Sequence, residues 1–236
     1  MSKKIVSLLA VICCAAAFAS PQVIFEADFT KSPNAKSKGK PSYHYPVKTG
    51  KNTKLELDKE KGLIIGEEKA SAHFGIPDLL NSKSGSIEMV VRNLNWEVKD
   101  LNKHLFMQAD RPGLLYFYKH SNDGVAIYFS NAESKKSVFM GNMPKWKKDT
   151  EHHLVFTWNN GDLALFIDGT KAAERKFVMP EKMPSRFFLG TPGKHPLNSN
   201  NTAIKYLKIY DSALSIKEVF QLNKNNQIQD EDIIDE

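Results

Sequence analysis

Short runs of β-branched and aromatic residues recur from residue 23 to residue 210, punctuated by Gly, Pro, Asn and Asp. Several alternate with period two, which sends successive side chains to opposite faces of a strand. In 85–93, Ile87, Met89 and Val91 form an apolar set and Glu88, Val90 and Arg92 face the other way. In 113–119 and 124–130, Leu115, Phe117, Ile127 and Phe129 point inward, leaving Tyr116, Tyr118 and Tyr128 outward. In 152–158, Leu154, Phe156 and Trp158 are internal, opposite His153, Val155 and Thr157. Further runs lie at 23–29, 55–57, 62–65, 72–76, 104–108, 137–140, 162–167, 172–177, 187–189 and 203–210. This density predicts an all-β protein, a two-sheet antiparallel jelly-roll sandwich.

Two hairpins are specified by turn residues that tolerate positive φ, Asn159-Asn160-Gly161 and Asp168-Gly169. The strand between them is apolar on both faces, with Leu163, Leu165 and Ile167 opposite Ala164 and Phe166, which predicts a central strand covered on each side. One short C-terminal helix is expected over 213–223. Ser215 is its N-cap, Glu218 its capping-box partner, and Val219 and Leu222 its apolar face. Residues 224–236 read as an acidic, solvated tail and 31–54, rich in Lys, Ser, Pro and Gly, as a long loop. No linker divides 20–223, so those residues form one domain.

The N-terminus changes the picture of compartment and charge. Lys3 and Lys4 precede an apolar run from Ile5 to Phe18, and Ala17 and Ala19 suit a cleavage site, so residues 1–19 read as a signal peptide. Both cysteines, Cys13 and Cys14, lie inside it. The mature chain is then expected to be secreted or periplasmic, without a disulfide, a thiolate metal site or a membrane-spanning segment. The whole sequence has 33 basic and 27 acidic residues. Two Lys lie in 1–19, and one Lys and five acids in 224–236, leaving 30 and 22, or +8, for the body. Arg appears only at 92, 111, 175 and 186, and Lys-rich, Arg-poor basicity argues against nucleic acid. An anionic polysaccharide remains compatible with it.

The outward sets supply the candidate chemistry. Glu88, Arg92, Tyr116, Tyr118, Tyr128 and His153 would furnish one concave face, its aromatic rings stacking on sugar CH groups and its polar groups reading hydroxyls. His152 and His153 are neighbours on a strand and point to opposite faces, so they cannot share a metal. One ring of that pair should be buried and hydrogen-bonded, the other exposed. Trp96 should cap the core, Tyr43 and Tyr45 anchor the long loop, and Lys145, Lys147 and Lys148 form a solvated turn around Trp146. His-Glu-x-x-His, Gly-x-Ser-x-Gly and phosphate-binding loops are absent from the sequence.

Three segments carry a resemblance. GSIEMVVR (85–92), HHLVFTWNNGDLALFIDG (152–169) and AIKYLKIYDSALSIKEVFQL (203–222) resemble, in order and spacing, the laminin-G-like, concanavalin A-like lectin/glucanase superfamily. The resemblance implies the same sandwich, and lectins, hydrolases, lyases and adhesion modules are all built on it. The glucanase Glu-x-Asp-x-x-Glu strand is absent, and so are the Arg-x-Glu-x-Arg and Gln-Ile-His motifs of alginate lyases. Where the family has a Trp before His-His this chain has Glu151, with Trp146 nearby to fill the core. Lys205 stands where the family's acid often helps hold a structural calcium, although Asp28 could contribute a ligand. These features together imply no metal, no catalytic residue and no cofactor. The expectation is an exported, non-catalytic module binding carbohydrate or a surface ligand. Its alternatives are a glycan-active hydrolase or lyase, or an envelope adhesion protein.

Overall fold

A computed structural model describes residues 20–43, 45–47, 54–66, 69–109, 114–121, 124–130, 136–143, 145–190 and 201–231. Residues 1–19, where the signal peptide is expected, and the last five residues lie outside these. The strands before the first long one are β1 (Val23–Asp28), β2 (Ala35–Ser37), β3 (Lys40–Ser42), β4 (Tyr45–Val47), β5 (Glu56–Asp58), β6 (Gly62–Ile65) and β7 (Ser71–Gly75). The middle of the chain supplies β8 (Ser84–Asn93), β9 (His104–Ala109), β10 (Leu114–His120), β11 (Gly124–Ser130) and β12 (Lys136–Asn142). Then come β13 (Glu151–Asn159), β14 (Asp162–Ile167), β15 (Thr170–Lys176), β16 (Arg186–Leu189), β17 (Thr202–Tyr210) and the helix α1 (Ile216–Glu231).

These strands form two sheets, and every pairing is antiparallel. The first sheet runs β15-β14-β13-β8-β17-β1-β2-β3, with β6 also on β17 and β5 on β6; the second runs β12-β11-β10-β9-β16-β7-β4. Inward sets from both sheets meet in one core. Ile87, Met89, Val91, Leu154, Phe156 and Trp158 of the first sheet pack with Leu115, Phe117, Ile127 and Phe129 of the second. Each fully buried apolar side chain contributes roughly 1.5–3 kcal/mol, so this interface dominates stability. The hairpins form as expected, with Asn160 at φ 47 and Gly161 at φ 88, and Asp168 at φ 50 and Gly169 at φ 77. Strand β14 lies between β13 and β15, buried on both faces.

Local chemistry explains the ends of α1. Ser215 and Glu218 close the capping box: the Ser215 amide and hydroxyl each donate to Glu218 Oε2 at 2.7 Å, and the Glu218 amide donates back to Ser215 Oγ at 3.3 Å. The helix nevertheless continues to Glu231, so 224–231 is helical where the sequence predicts a solvated tail. A hydrogen bond from that stretch, Asn226 Nδ2 to Tyr206 Oη at 2.6 Å, ties it to the sheet. The expected loop at 31–54 likewise contains β2, β3 and β4. The β2–β3 hairpin turns on Lys38 and Gly39, both at positive φ. Tyr43 is 66% exposed and anchors nothing, while the side chain of Tyr45 lies outside the described residues. Trp96 and Trp146 are buried in the core as expected. His152 departs from the expectation of an exposed ring. It lies flat on Trp146 at 3.7 Å and is held by Thr150 Oγ1 at 2.7 Å and Asp168 Oδ2 at 2.9 Å.

Candidate functional site

The six candidate residues do not meet. Glu88, Arg92 and His153 belong to β8 and β13 of the first sheet, whereas Tyr116, Tyr118 and Tyr128 belong to β10 and β11 of the second. Each group faces away from the shared core, so the two lie on opposite outer faces. Alternation correctly assigns each residue a side of its own sheet. It carries no information about which sheet a strand joins, and the single concave face is corrected on that ground.

On the first sheet the outward face is largely closed. Helix α1 lays Val219 and the preceding Leu214 on Val155, Phe166 and Tyr210, with Ala164 and Leu222 beside them. Glu88, 1% exposed, sits next to this contact. Its Oε1 accepts from His153 Nε2 and from the Tyr206 hydroxyl, both at 2.9 Å, and its Oε2 accepts from the Tyr210 hydroxyl at 2.5 Å. Burial pushes the Glu88 carboxyl up, but the donors His153 and Tyr210 and the neighbouring Lys208 ammonium outweigh it, and the net displacement is downward. The same carboxylate, together with burial, holds the hydroxyls of Tyr206 and Tyr210 well above the ordinary tyrosine range. An ionised carboxylate accepts only, so His153 must present Nε2–H to it. His153 Nδ1 then faces the interior with no partner among the described residues.

Tyr206 and Tyr210 are the site residues that alternation misses, and the reason is a β-bulge. Ile204 pairs with Val91 and Tyr206 with Val90, leaving Lys205 as the extra residue. The bulge lets Ile204 and Leu207 both face the core and brings Tyr206, Lys208 and Tyr210 outward together. The three-residue spacing of Ile204 and Leu207, followed by the two-residue step to Ile209, is the signal in the sequence. Gly62 permits this geometry, because a Cβ there would lie 2.3 Å from the Ile204 carbonyl oxygen.

Beyond the helix, a polar groove of about 950 Å³ opens over Arg92, Glu151, Lys205 and Lys208. Arg92, Glu151 and Lys205 are held in ion pairs. Arg92 Nε donates to Asp149 at 2.8 Å and its NH1 to Glu151 Oε1 at 3.4 Å, and Lys205 Nζ donates to Glu151 Oε2 at 3.0 Å. At the groove's edge, Asp28 accepts from the Thr30 hydroxyl at 2.6 Å and pairs with Lys31 at 2.7 Å. No cluster of three His, Cys, Asp or Glu side chains suited to a metal occurs among the described residues.

The second sheet's outer face is different. Its Leu105, Ala126 and Phe188 are buried, whereas Tyr116 and Tyr128 are partly exposed. Tyr116 and Tyr128 are direct cross-strand partners, their rings 5.5 Å apart and inclined by 28°, and both are partly exposed. Tyr118 is buried beside them against Leu105 and Ala126, and burial raises its hydroxyl above the usual tyrosine range. Further along the same face, Phe188 meets His73 edge-on at 3.9 Å, with the Arg186 guanidinium 5.7 Å from the Phe188 ring centre.

Among the described residues no helix is long and apolar enough to cross a membrane. No curated protein matches the chain in sequence. Among solved structures it is similar to the binding domain of botulinum neurotoxin serotype D (TM-score 0.69, 11% identity, 86% of this chain and 51% of that one). It is also similar to the receptor-binding domain of the botulinum neurotoxin C/D mosaic serotype (TM-score 0.70, 10% identity, 86% and 51%). A third is the binding domain of Paraclostridial Mosquitocidal Protein 1 (TM-score 0.69, 15% identity, 86% and 52%). The chain spans about half the length of each, and at these identities the likeness is one of fold. A family model described as concanavalin A-like lectin/glucanases superfamily, of the Laminin_G_3 type, matches residues 68–220, from just before β7 through the start of α1. With both sheets and the closing helix in place over that span, the chain belongs to the concanavalin A-like lectin/glucanase superfamily.

Proposed function

We propose that this protein is an exported, non-catalytic sandwich module that binds carbohydrate or another surface ligand on the outer face of its second sheet. The observation that carries this reading is the contrast between the two outer faces. One is partly covered by α1, and in the groove beside it the oxygens of Glu88 and Glu151 are already engaged. The other presents the partly exposed pair Tyr116 and Tyr128. Flat aromatic rings offer large apolar area at small conformational cost and suit the CH faces of sugars. The similar solved structures are described as binding or receptor-binding domains, which favours binding over turnover here.

The same geometry argues against catalysis by Glu88. A general acid or base must come within hydrogen-bond reach of a substrate atom. Glu88 is sealed by three donors, so it acts as a strut beneath α1. The residues also do not fit a calcium ion. Both oxygens of Glu151 and both of Asp28 are engaged by cations or donors, Lys205 among them. Export rests on the charged, apolar and small-residue segments of 1–19. A glycan array read together with glycan-induced thermal shifts tests the reading. Hits with a stabilising shift support it, and an array without a hit and without any shift contradicts it.

A further inference from the structure

Two neighbouring loops cover the end of the sandwich at which β8 finishes and β13 starts. Residues 94–103 join β8 to β9, residues 145–150 lead into β13, and Arg92 pairs with Glu151 where the two strands border them. Asn93, fully buried, fastens the loops together. Its Nδ2 donates to the carbonyls of Trp96 and Lys147, both at 2.7 Å, and its own carbonyl accepts from the Asp149 amide at 2.7 Å. The buried rings of Trp96 and Trp146 lie 6.0 Å apart beneath them. Lysines stand on both loops: Lys99, Lys145, Lys147 and Lys148 are exposed and Lys103 is partly so. None of the five forms an ion pair among the described residues. Of the acids in the same loops, Asp149 is held by Arg92 at 2.8 Å. Asp100 accepts from the Asn102 amide at 2.9 Å and lies 3.2 Å from His104, which leaves Glu97.

Leu101 lies between Lys99 and Lys103 and is 80% exposed. The ammonium of Lys119, itself fully buried, donates to the carbonyl of Asp100 and, at 3.3 Å, to that of Asn102, on either side of it. Held from beneath at both neighbours, the backbone keeps the leucine side chain turned out. We propose that this end of the sandwich docks on an anionic phospholipid surface, with the five lysines meeting headgroup phosphates and Leu101 entering the boundary between headgroups and acyl chains. Lysines close to a negatively charged leaflet are attracted to it, and an apolar side chain adds the area that it buries. A soluble polyanion would use the lysines and gain nothing from Leu101, so a bilayer is the partner that fits both features. Ammonium groups on flexible stems suit scattered headgroups, whereas bidentate recognition of one fixed phosphate calls for arginine, and these two loops contain none. This end of the molecule is separate from the Tyr116–Tyr128 face, so both can be engaged by the same protein.

Co-sedimentation of the purified protein with vesicles tests the docking surface, with phosphatidylcholine alone and with phosphatidylglycerol mixed in. Binding is expected only when phosphatidylglycerol is present, and it should weaken as salt is raised. Replacing Lys147 and Lys148 together by Ala should weaken it about 25-fold, at about fivefold for each lysine. Leu101→Ser should weaken it about tenfold or more. Lys208→Ala, on the outer face of the first sheet, should bind like the wild type. Leu101, Lys147 and Lys148 are exposed, so their variants should keep the wild-type thermal midpoint, which establishes that the fold is intact. Binding through the apolar residues 5–18 would survive both loop variants, and that outcome overturns the proposal. Equal binding to phosphatidylcholine alone overturns it too, as does failure to bind either vesicle. Loss of binding with the lysine pair but not with Leu101→Ser makes the surface a site for polyanions and overturns the bilayer.

Discussion

Replacing Glu88 by Gln probes the strut beneath α1 while preserving its shape. In the native protein one carboxylate accepts from His153, Tyr206 and Tyr210, so all three hydrogen bonds are charge-assisted. The amide keeps one acceptor oxygen and turns the other position into a donor, which confronts either Tyr210 or the Tyr206–His153 pair with a donor of its own. Hydrogen bonds to charged groups exceed neutral ones by about 1 kcal/mol, so three weakened bonds cost about 3 kcal/mol. Relief from burying a charge returns part of that, leaving a net loss of about 2 kcal/mol. The pH dependence has a fixed sign. The folded carboxyl ionises below its ordinary 4.5, so its contribution is complete above that value and is lost as pH falls through the lower folded value. Urea unfolding of wild type and Glu88→Gln at pH 7, and at steps down to pH 3, should therefore show a gap that closes below about 4.5. Equal midpoints at pH 7, or a gap that persists undiminished at pH 3, would refute the strut.

Four further outcomes follow from the same structure. Leu214→Ala should cost about 2–5 kcal/mol through the contact with Val155 and Phe166, and Ser215→Ala about 1 kcal/mol through the lost cap; chemical denaturation checks both. Burial depresses His73 and His104 from 6.5 to about 4, so the unfolded chain binds protons that the folded one refuses. Stability should fall between pH 6.5 and 4, and His104→Gln should flatten the slope, as thermal melts across that range would show. Gly62→Ala meets the Ile204 carbonyl at a φ of +91 and should destabilise by at least about 3 kcal/mol, measurable as a lowered urea midpoint.

Much of the fold is legible in the sequence because it is locally encoded. Period-two alternation places Leu154, Phe156 and Trp158 inside, Asn160-Gly161 and Asp168-Gly169 form the turns, and Ser215 and Glu218 start the helix. What alternation cannot carry is long-range pairing, which here decides that β8 and β13 share a sheet that β10 and β11 do not. That is why Glu88 and Tyr116 read as neighbours and are not. An outward residue also reads as a solvated one, yet Val155 and Glu88 are buried because of what packs against that face. Tyr206 and Tyr210 escape notice because the bulge at Lys205 shifts the period within β17. The polar composition of 224–231 hides a helix whose support comes from contacts such as Asn226 with Tyr206.

The central claim is that the ligand meets the second sheet and not the first, and the tyrosines of the two faces separate the possibilities. Ring-selective ¹³C labelling of tyrosine gives distinct signals for Tyr116 and Tyr128 on one face and for Tyr206 and Tyr210 on the other, assigned by single Tyr→Phe variants. Titration with a glycan that the array identifies should move Tyr116 and Tyr128 and leave Tyr206 and Tyr210 in place. Shifts confined to Tyr206 and Tyr210 would contradict it.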